Sequence, residues 1–291
     1  MTPASVILLG LARQASAAYT THPRARAAMV SGSVADGLSD FYSDVDMMVY
    51  YQVLPSEEEF SQARAQNRGS ERKWFVGNRA EGTVMEAYSV GGVEVQIVHY
   101  TLEAWEKQMA VVLEQHDVST PLHKALSGML KGIPLYGEPI IQGWKARIRD
   151  FPQALAEKMV NHYLNFFPVW GYQHQFAARD ATLFYYQSLL EAAQNLLGVL
   201  AGLNRVYYST FQFKRTKKFV EGLKIAPPNL AERIEGLFVS PLEVVAPGLE
   251  DLVQETAALV ETQMPQVDTA KAKQPLGWRQ EPWKPEVSVS L

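Results

Sequence analysis

The chain has 291 residues, 47% hydrophobic and 20% charged, a balance typical of a globular protein long enough for two cores. Its net charge of −4 at pH 7 argues against a broad nonspecific nucleic-acid surface, so nucleic acid is not an expected partner. The absence of cysteine excludes disulfides, thiolate nucleophiles and zinc–thiolate sites. No apolar run reaches membrane-spanning length, so we expect a soluble, cytoplasmic protein with no membrane partner.

The first 140 residues combine helix and strand signals. Strands are expected where apolar or alternating runs are bounded by turn residues: 27–30, 44–53, 83–90 and 93–100. Helices are expected where apolar residues recur at three- and four-residue spacing: 3–19, 102–114 and 122–130. Ser56 and Glu59 have the spacing of a helix capping box, Gly91-Gly92 predicts a hairpin turn, and residues 132–137 predict a loop. This pattern indicates an α+β domain with a mixed or antiparallel sheet.

The strand signals largely stop after that loop. Apolar residues at helical spacing predict four further helices: 152–167, 180–203, 214–223 and 249–264. We therefore divide the chain into a mixed domain at 1–140 and an all-α helical bundle at 141–264. Residues 265–291 are rich in proline and lack periodicity, which predicts a tail that is extended, mobile or wrapped on the surface.

One element of the first domain carries a chemical signal. Gly32-Ser33 is followed by a ten-residue spacer and then by Asp44-Val45-Asp46, which opens an apolar run. Two carboxylates one residue apart on a strand point to the same face, and a divalent cation is the usual way to hold them together. A Gly-Ser turn offers backbone N–H groups and a hydroxyl to a phosphate. The element therefore predicts a site for a metal and a nucleotide.

The same element resembles the signature of the DNA polymerase β-like nucleotidyltransferase superfamily, a Gly-Ser turn followed after a spacer by Asp-x-Asp on a strand. The resemblance implies a polymerase β-like fold for the first domain. It also implies that Asp44 and Asp46 bind two Mg²⁺ ions, which hold the triphosphate of ATP. Gly32, Ser33 and Ser43 would contact the phosphates.

A third carboxylate is expected on the strand at 93–100. Alternation places Glu94 and Gln96 on one face of this strand. Glu94 resembles the general base of streptomycin/spectinomycin-type adenylyltransferases, in which a helix with a tryptophan, here Trp105, follows the strand. Two roles stay open for Glu94, the deprotonation of an acceptor hydroxyl and the completion of the metal shell. Gln96 stands where many relatives carry an acid, and Glu86 on the preceding strand is expected to be exposed.

The helical half adds candidate cations. Arg179-Asp180, a long helix, Asn204 and a run of basic residues at 214–218 resemble the C-terminal helical domain of lincosamide- or aminoglycoside-type nucleotidyltransferases. The resemblance implies that Arg179, Lys214 and Lys217 contact the nucleotide. The alternative is that the basic run is the solvated start of a helix, as charge runs usually are.

The resemblance as a whole predicts a Mg²⁺-dependent transfer of AMP from ATP to a hydroxyl of a small molecule, such as an aminoglycoside- or lincosamide-like antibiotic. One alternative is nucleotidylation of a protein or an RNA, as in antitoxin-type relatives. Another is an inactive relative that only binds nucleotide, for which Gln96 is the support. The identity of the acceptor, the base preference and the oligomeric state stay open.

Overall fold

The computed structural model describes residues 1–283. The side chains of five of these residues are not described: Gln173, Ala177, Ala178, Leu242 and Glu243. The fold class is α+β, as predicted, with a six-stranded mixed sheet followed by a run of helices. The chain forms two compact units, Met1–Pro152 and Gln153–Leu291. None of the helices in the described part of the chain is both long enough and apolar enough to cross a membrane.

The strands all belong to the first unit: β1 (Ala25–Val30), β2 (Val45–Tyr51), β3 (Trp74–Asn78), β4 (Thr83–Val90), β5 (Val93–Thr101) and β6 (Ile133–Tyr136). The helices of this unit are α1 (Pro3–Thr20), α2 (Gly32–Ala35), α3 (Glu57–Gln66), α4 (Leu102–Leu113), α5 (Leu122–Lys131) and α6 (Glu138–Arg149). The helices of the second unit are α7 (Gln153–Tyr163), α8 (Gln173–Ala178), α9 (Thr182–Asn204), α10 (Thr216–Glu221), α11 (Leu230–Val239), α12 (Leu242–Gln263) and α13 (Ala270–Lys273).

Two local predictions are confirmed and two are wrong. The Ser56 hydroxyl accepts from the backbone N–H of Glu59, whose carboxylate accepts from the N–H of Ser56, so the capping box starts α3. Gly91 and Gly92 both have positive φ and join β4 to β5. The predicted loop at 132–137 instead contains the edge strand β6, which pairs with β1. Asp44 precedes β2 rather than opening it.

The sheet brings three strand ends together. Its order is β3-β4-β5-β2-β1-β6, and only β2 and β5 form a parallel pair within it. Val30 at the end of β1 pairs with Met47, while Asp46 near the start of β2 pairs with Gln96 near the start of β5. The end of β1 and the starts of β2 and β5 therefore meet at one end of the sheet.

The two faces of the sheet differ in chemistry. Val45, Met47 and Val49 are buried in one apolar core with side chains of α1 and α3. Alternation sends Asp46 and Tyr50 to the opposite face. The ring of Tyr50 lies 4.7 Å from that of Trp144 in α6 and 5.8 Å from that of Trp105 in α4. Apolar packing thus covers this second face at the Tyr50 end, whereas Asp46 at the other end is only half-buried.

The packing of α6 also locates the division between the units. Ile141, Trp144 and Ile148 are buried, and α6 packs against β1 and α5 of the first unit. The division therefore falls after Pro152, and α6 belongs to the first unit rather than to a helical domain that starts at residue 141. Helical periodicity reports that a helix has an apolar face, but it does not report what that face contacts.

The second unit contains a close helix pair and a docked C-terminal segment. A Cβ at Gly202 of α9 would lie 2.8 Å from Val160 Cγ2 of α7, so glycine permits this approach. The segment after Met264 is not simply extended, because it contains α13 and contacts the unit through Trp278, whose ring fills the space beside Gly171. Trp170 Nε1 donates to Pro275 O at 2.9 Å. Residues 284–291 of the predicted tail lie outside the described residues.

A buried charge cluster lies on the α1/α3 face of the sheet. The prediction that Glu86 is exposed is wrong, since its exposed fraction is 0%. Its Oε1 accepts from Tyr19 Oη at 3.0 Å and lies 3.3 Å from His99 Nε2. Its Oε2 accepts from Arg64 Nη1 at 3.2 Å and from Arg72 Nε at 3.1 Å. Two guanidinium groups and two further hydrogen-bond partners therefore compensate one buried carboxylate.

We expect Glu86→Gln to lower the free energy of unfolding by about 3 kcal/mol, because the change removes the anion that Arg64 and Arg72 share and leaves Arg72 paired with Glu57. Urea denaturation followed by circular dichroism measures this loss. Glu58→Gln, at an exposed position of α3, is the matched control and should change stability by less than about 0.5 kcal/mol. Equal stability of the two variants would contradict the assignment of Glu86 as the centre of the cluster.

The cluster also predicts a loss of stability on acidification. Burial lowers the pKa of His99 below its usual range, so the folded state holds this ring neutral while the unfolded chain protonates it near pH 6.5. Burial acts to raise the pKa of Glu86, but bonds from His99 and Tyr19 and the charge of Arg72 keep it below its usual range. Both groups therefore have a lower pKa in the folded state than in the unfolded state. As the pH falls through each unfolded pKa, the unfolded chain binds protons that the folded protein does not, so stability is lost.

We expect the free energy of unfolding to decrease between pH 7 and pH 5, and His99→Gln to flatten this slope because glutamine cannot take up the proton. Urea denaturation at a series of pH values provides the measurement. His162→Gln, at an exposed position of α7, is the control and should keep the wild-type slope. A slope that His99→Gln leaves unchanged would show that another group binds the proton.

Candidate functional site

The Gly-Ser turn is built directly against Asp46. The backbone N–H of Ser31 donates to Asp46 O at 2.9 Å, which joins the end of β1 to β2. Gly32 follows with φ +60°, and a Cβ at this position would overlap Asp46 Oδ2. The left-handed backbone and the close approach both require glycine. The turn and the carboxylate therefore form one structural element.

The two serines of the predicted phosphate site make bonds of their own. Ser33 Oγ lies 3.0 Å from Ser39 Oγ, and the backbone N–H of Ser39 donates to Ser5 Oγ in α1. Ser43 Oγ donates to Asp40 Oδ1 and accepts from the Asp40 N–H, both at 3.0 Å. The Ser43 hydroxyl thus stabilises a turn, and the phosphate contacts of Gly32, Ser33 and Ser43 stay predictions.

The structure brings four of the polar side chains from the sequence analysis to the same end of the sheet. Gln96 Nε2 donates to Asp44 Oδ2 and to Glu94 Oε1, both at 2.9 Å. Asp46 pairs with Gln96 in parallel register, so its side chain shares their face. One amide nitrogen therefore lies between two carboxylates, at a position where positive charge would be stabilised by both of them.

Sequence reasoning missed a cation at this site. Lys73 Nζ donates to Glu94 Oε2 at 2.6 Å, just before β3 begins. This bond is the main cause that holds the pKa of Glu94 below its usual range, with a smaller contribution from Gln96. Glu94 is consequently ionised at neutral pH. No sequence signal pointed to Lys73, because its approach to Glu94 depends on the pairing of β3 with β4 and of β4 with β5.

Asp44 and Asp46 offer two carboxylate ligands for Mg²⁺, fewer than a complete protein metal site would have. Among residues with described side chains, no three carboxylates or imidazoles form a metal-binding cluster. Asp44 and Asp46 nevertheless supply oxygen atoms, the donor type that Mg²⁺ selects. Magnesium sites commonly use one or two carboxylates and complete the shell with water and substrate phosphates. The two aspartates therefore suit a Mg²⁺ ion that arrives with a nucleotide, with Gly32 next to it.

The three predicted cations of the helical half all belong to the second unit. Arg179 follows α8, Lys214 lies before α10 and Lys217 lies within it, and all three are exposed. Their contact with a nucleotide stays a prediction. Trp105, the tryptophan expected after the Glu94 strand, is buried in α4 and packs at steep ring angles against Tyr50 and Tyr100, so it supports the sheet.

Comparison with solved structures finds similarity to a nucleotidyltransferase-like protein from Exiguobacterium sibiricum 255-15. The two chains are 13% identical, and the alignment covers 88% of this chain and 80% of that chain with a TM-score of 0.42. No protein-family model matches the sequence, and no curated protein matches it.

Proposed function

We propose that the chain is a Mg²⁺-dependent nucleotidyltransferase that transfers AMP from ATP to a hydroxyl group of a small molecule. The observation that carries this proposal is the contact between the Gly32 turn and the Asp46 carboxylate, beside Asp44. A glycine turn that a phosphate can approach closely and a pair of carboxylates that can hold a cation are the two parts expected to bind a triphosphate. Because the Gly32 turn and the Asp46 carboxylate are in direct contact, they are better explained as two parts of one nucleotide site than as unrelated polar features.

Each side chain has a role in the proposed transfer. Asp44 and Asp46 would hold Mg²⁺, which neutralises the phosphate charge that develops in the transfer. The acceptor oxygen bonds to the α-phosphorus, the bond to the β-phosphate oxygen breaks, and pyrophosphate leaves. The hydroxyl proton passes to Glu94, which Lys73 keeps ionised beforehand. Gln96 orients Asp44 and Glu94 through its amide nitrogen.

The acceptor that we propose is a small, hydroxylated and cationic compound, of which an aminoglycoside- or lincosamide-like antibiotic is one example. The polar end of the sheet presents the carboxylates of Asp44, Asp46 and Glu94. The charge of Lys73 offsets one of them. An excess of negative charge attracts cationic compounds and repels anionic ones.

One observation favours a second candidate function, a protein that binds nucleotide without transferring it. Both oxygens of Glu94 are engaged, one by Lys73 and the other by Gln96. A carboxylate held in this way is a weak proton acceptor, since its pKa is lowered. Gln96 is neutral at a place where an acid would add a metal ligand.

We expect wild-type protein to bind ATP only with Mg²⁺ present, and Asp46→Asn to lose this binding together with at least a hundredfold of turnover, because a neutral amide holds the cation poorly. Calorimetric titration measures binding, and pyrophosphate release over a panel of hydroxylated acceptors measures turnover. Asp251→Asn, at an exposed position of α12, should behave as wild type. Unchanged Mg²⁺-dependent binding in Asp46→Asn would refute the metal assignment.

Gln96→Glu separates the two candidate functions, because it adds a carboxylate of the same length between Asp44 and Glu94. In a transferase, we expect the variant to lose about tenfold or more of turnover, since the amide bonds to both carboxylates are replaced by repulsion. In a protein that only binds nucleotide, the added ligand should create Mg²⁺-dependent turnover that wild type lacks. Gln115→Glu, at an exposed position after α4, controls for the added charge.

A further inference from the structure

Two aromatic side chains stand on a short turn beside the carboxylates. Phe41 and Tyr42 are the central residues of the turn at 40–43, which we call the aromatic turn, and their exposed fractions are 84% and 100%. The backbone N–H of Ser43 donates to Asp40 O at 3.2 Å, and that of Tyr42 donates to Asp40 Oδ1 at 2.9 Å. With the two bonds of the Ser43 hydroxyl, the backbone of the turn is held in one shape.

The fold does not account for these two rings. An aromatic side chain stabilises a protein when it buries roughly 150–250 Å² of surface, and here almost all of that surface stays in water. The centres of such turns are normally occupied by Gly, Pro, Asn, Asp or Ser, each for a reason of backbone geometry or hydrogen bonding. Phe41 and Tyr42 supply neither, and the described residues bury almost none of either ring.

The position of the turn indicates which ligand this is. Tyr42 precedes Asp44 by two residues, so their Cα atoms are at most roughly 7 Å apart. Asp44 in turn is bonded to Gln96 at the polar end of the sheet. In a nucleotide whose phosphates lie at Asp44 and Gly32, one ribose separates the phosphates from the planar base. The distance from phosphate to base is therefore similar to the distance from Asp44 to Tyr42.

We infer that Phe41 and Tyr42 bind the base of the nucleotide by stacking. The inference rests on the proposed function and names the part of the nucleotide that these residues take. Asp40 Oδ1 and Ser43 Oγ are already engaged within the turn, so the turn offers the base ring faces rather than hydrogen bonds to its edge. Stacking of this kind accepts every base and favours the larger purine ring.

The test compares ATP with inorganic tripolyphosphate, which has the phosphates but no base, by calorimetric titration in Mg²⁺. We expect Phe41→Leu/Tyr42→Leu to weaken ATP binding by about ten- to a hundredfold and to leave tripolyphosphate binding within about twofold of wild type. Tyr42→Phe keeps the ring and should keep ATP affinity. Tyr136→Leu changes a tyrosine of β6 that is 45% exposed, and it should bind both ligands as wild type does.

The outcomes separate the inference from the proposed function. If wild-type protein binds both ligands and the double variant retains full ATP affinity, the stacking role is wrong and the proposed function stands. Equal loss of both ligands in the double variant also overturns the stacking role, because the change then acts on the phosphate site. If wild-type protein binds neither ligand in Mg²⁺, the proposed function fails and the inference fails with it. Both positions are exposed, so an unchanged thermal midpoint should accompany every variant.

Discussion

The parallel register of β2 and β5 is the constraint on which the candidate site depends. Asp46 pairs with Gln96, so Val45 and Met47 face the α1/α3 core while Asp46 and Gln96 share the opposite face. Because side chains alternate with a period of two, a slip of one residue would move Asp46 into the core and Val45 out of it. Burial of Val45 and its neighbours therefore fixes the placement of the carboxylates. The free energy that holds the carboxylates in place is therefore supplied by the burial of apolar side chains on the other face of the sheet.

The charged groups around Glu86 and those around Glu94 lie on opposite faces of the sheet. The adjacent residues Arg72 and Lys73 contribute one cation to each group. Arg72 reaches the buried Glu86, while the next residue, Lys73, reaches Glu94 at the polar end. Glu86 receives two arginines, as a buried carboxylate requires. On the other face one lysine accompanies three half-buried carboxylates, those of Asp44, Asp46 and Glu94. A bound divalent cation would offset the surplus of negative charge there.

Local signals in the sequence predicted local structure well, but they did not predict contacts between segments that are distant in the chain. The capping box of α3 and the Gly91-Gly92 turn depend on neighbouring residues only, and both are confirmed. Strand β6 was missed because it is a four-residue edge strand that includes Pro134. The burial of Glu86 was missed because alternation assigns residues to a face but does not say which face a helix covers. Lys73 reaches Glu94 only through the order of three strands.

The loop between the Gly-Ser turn and Asp44 completes the argument that the site is one preorganised element. The loop is bonded to α1, because Thr2 Oγ1 donates to Ser39 O at 2.6 Å and Ser39 N–H donates to Ser5 Oγ at 2.9 Å. Its start is fixed by the approach of Gly32 to Asp46, and its end by the bonds of the aromatic turn. The backbone of the Gly-Ser turn, Asp46 and the backbone of the aromatic turn therefore keep their spacing through contacts within the chain. If the proposed nucleotide site is correct, this fixed backbone spacing lowers the entropic cost of binding, because the loop is ordered before the ligand arrives.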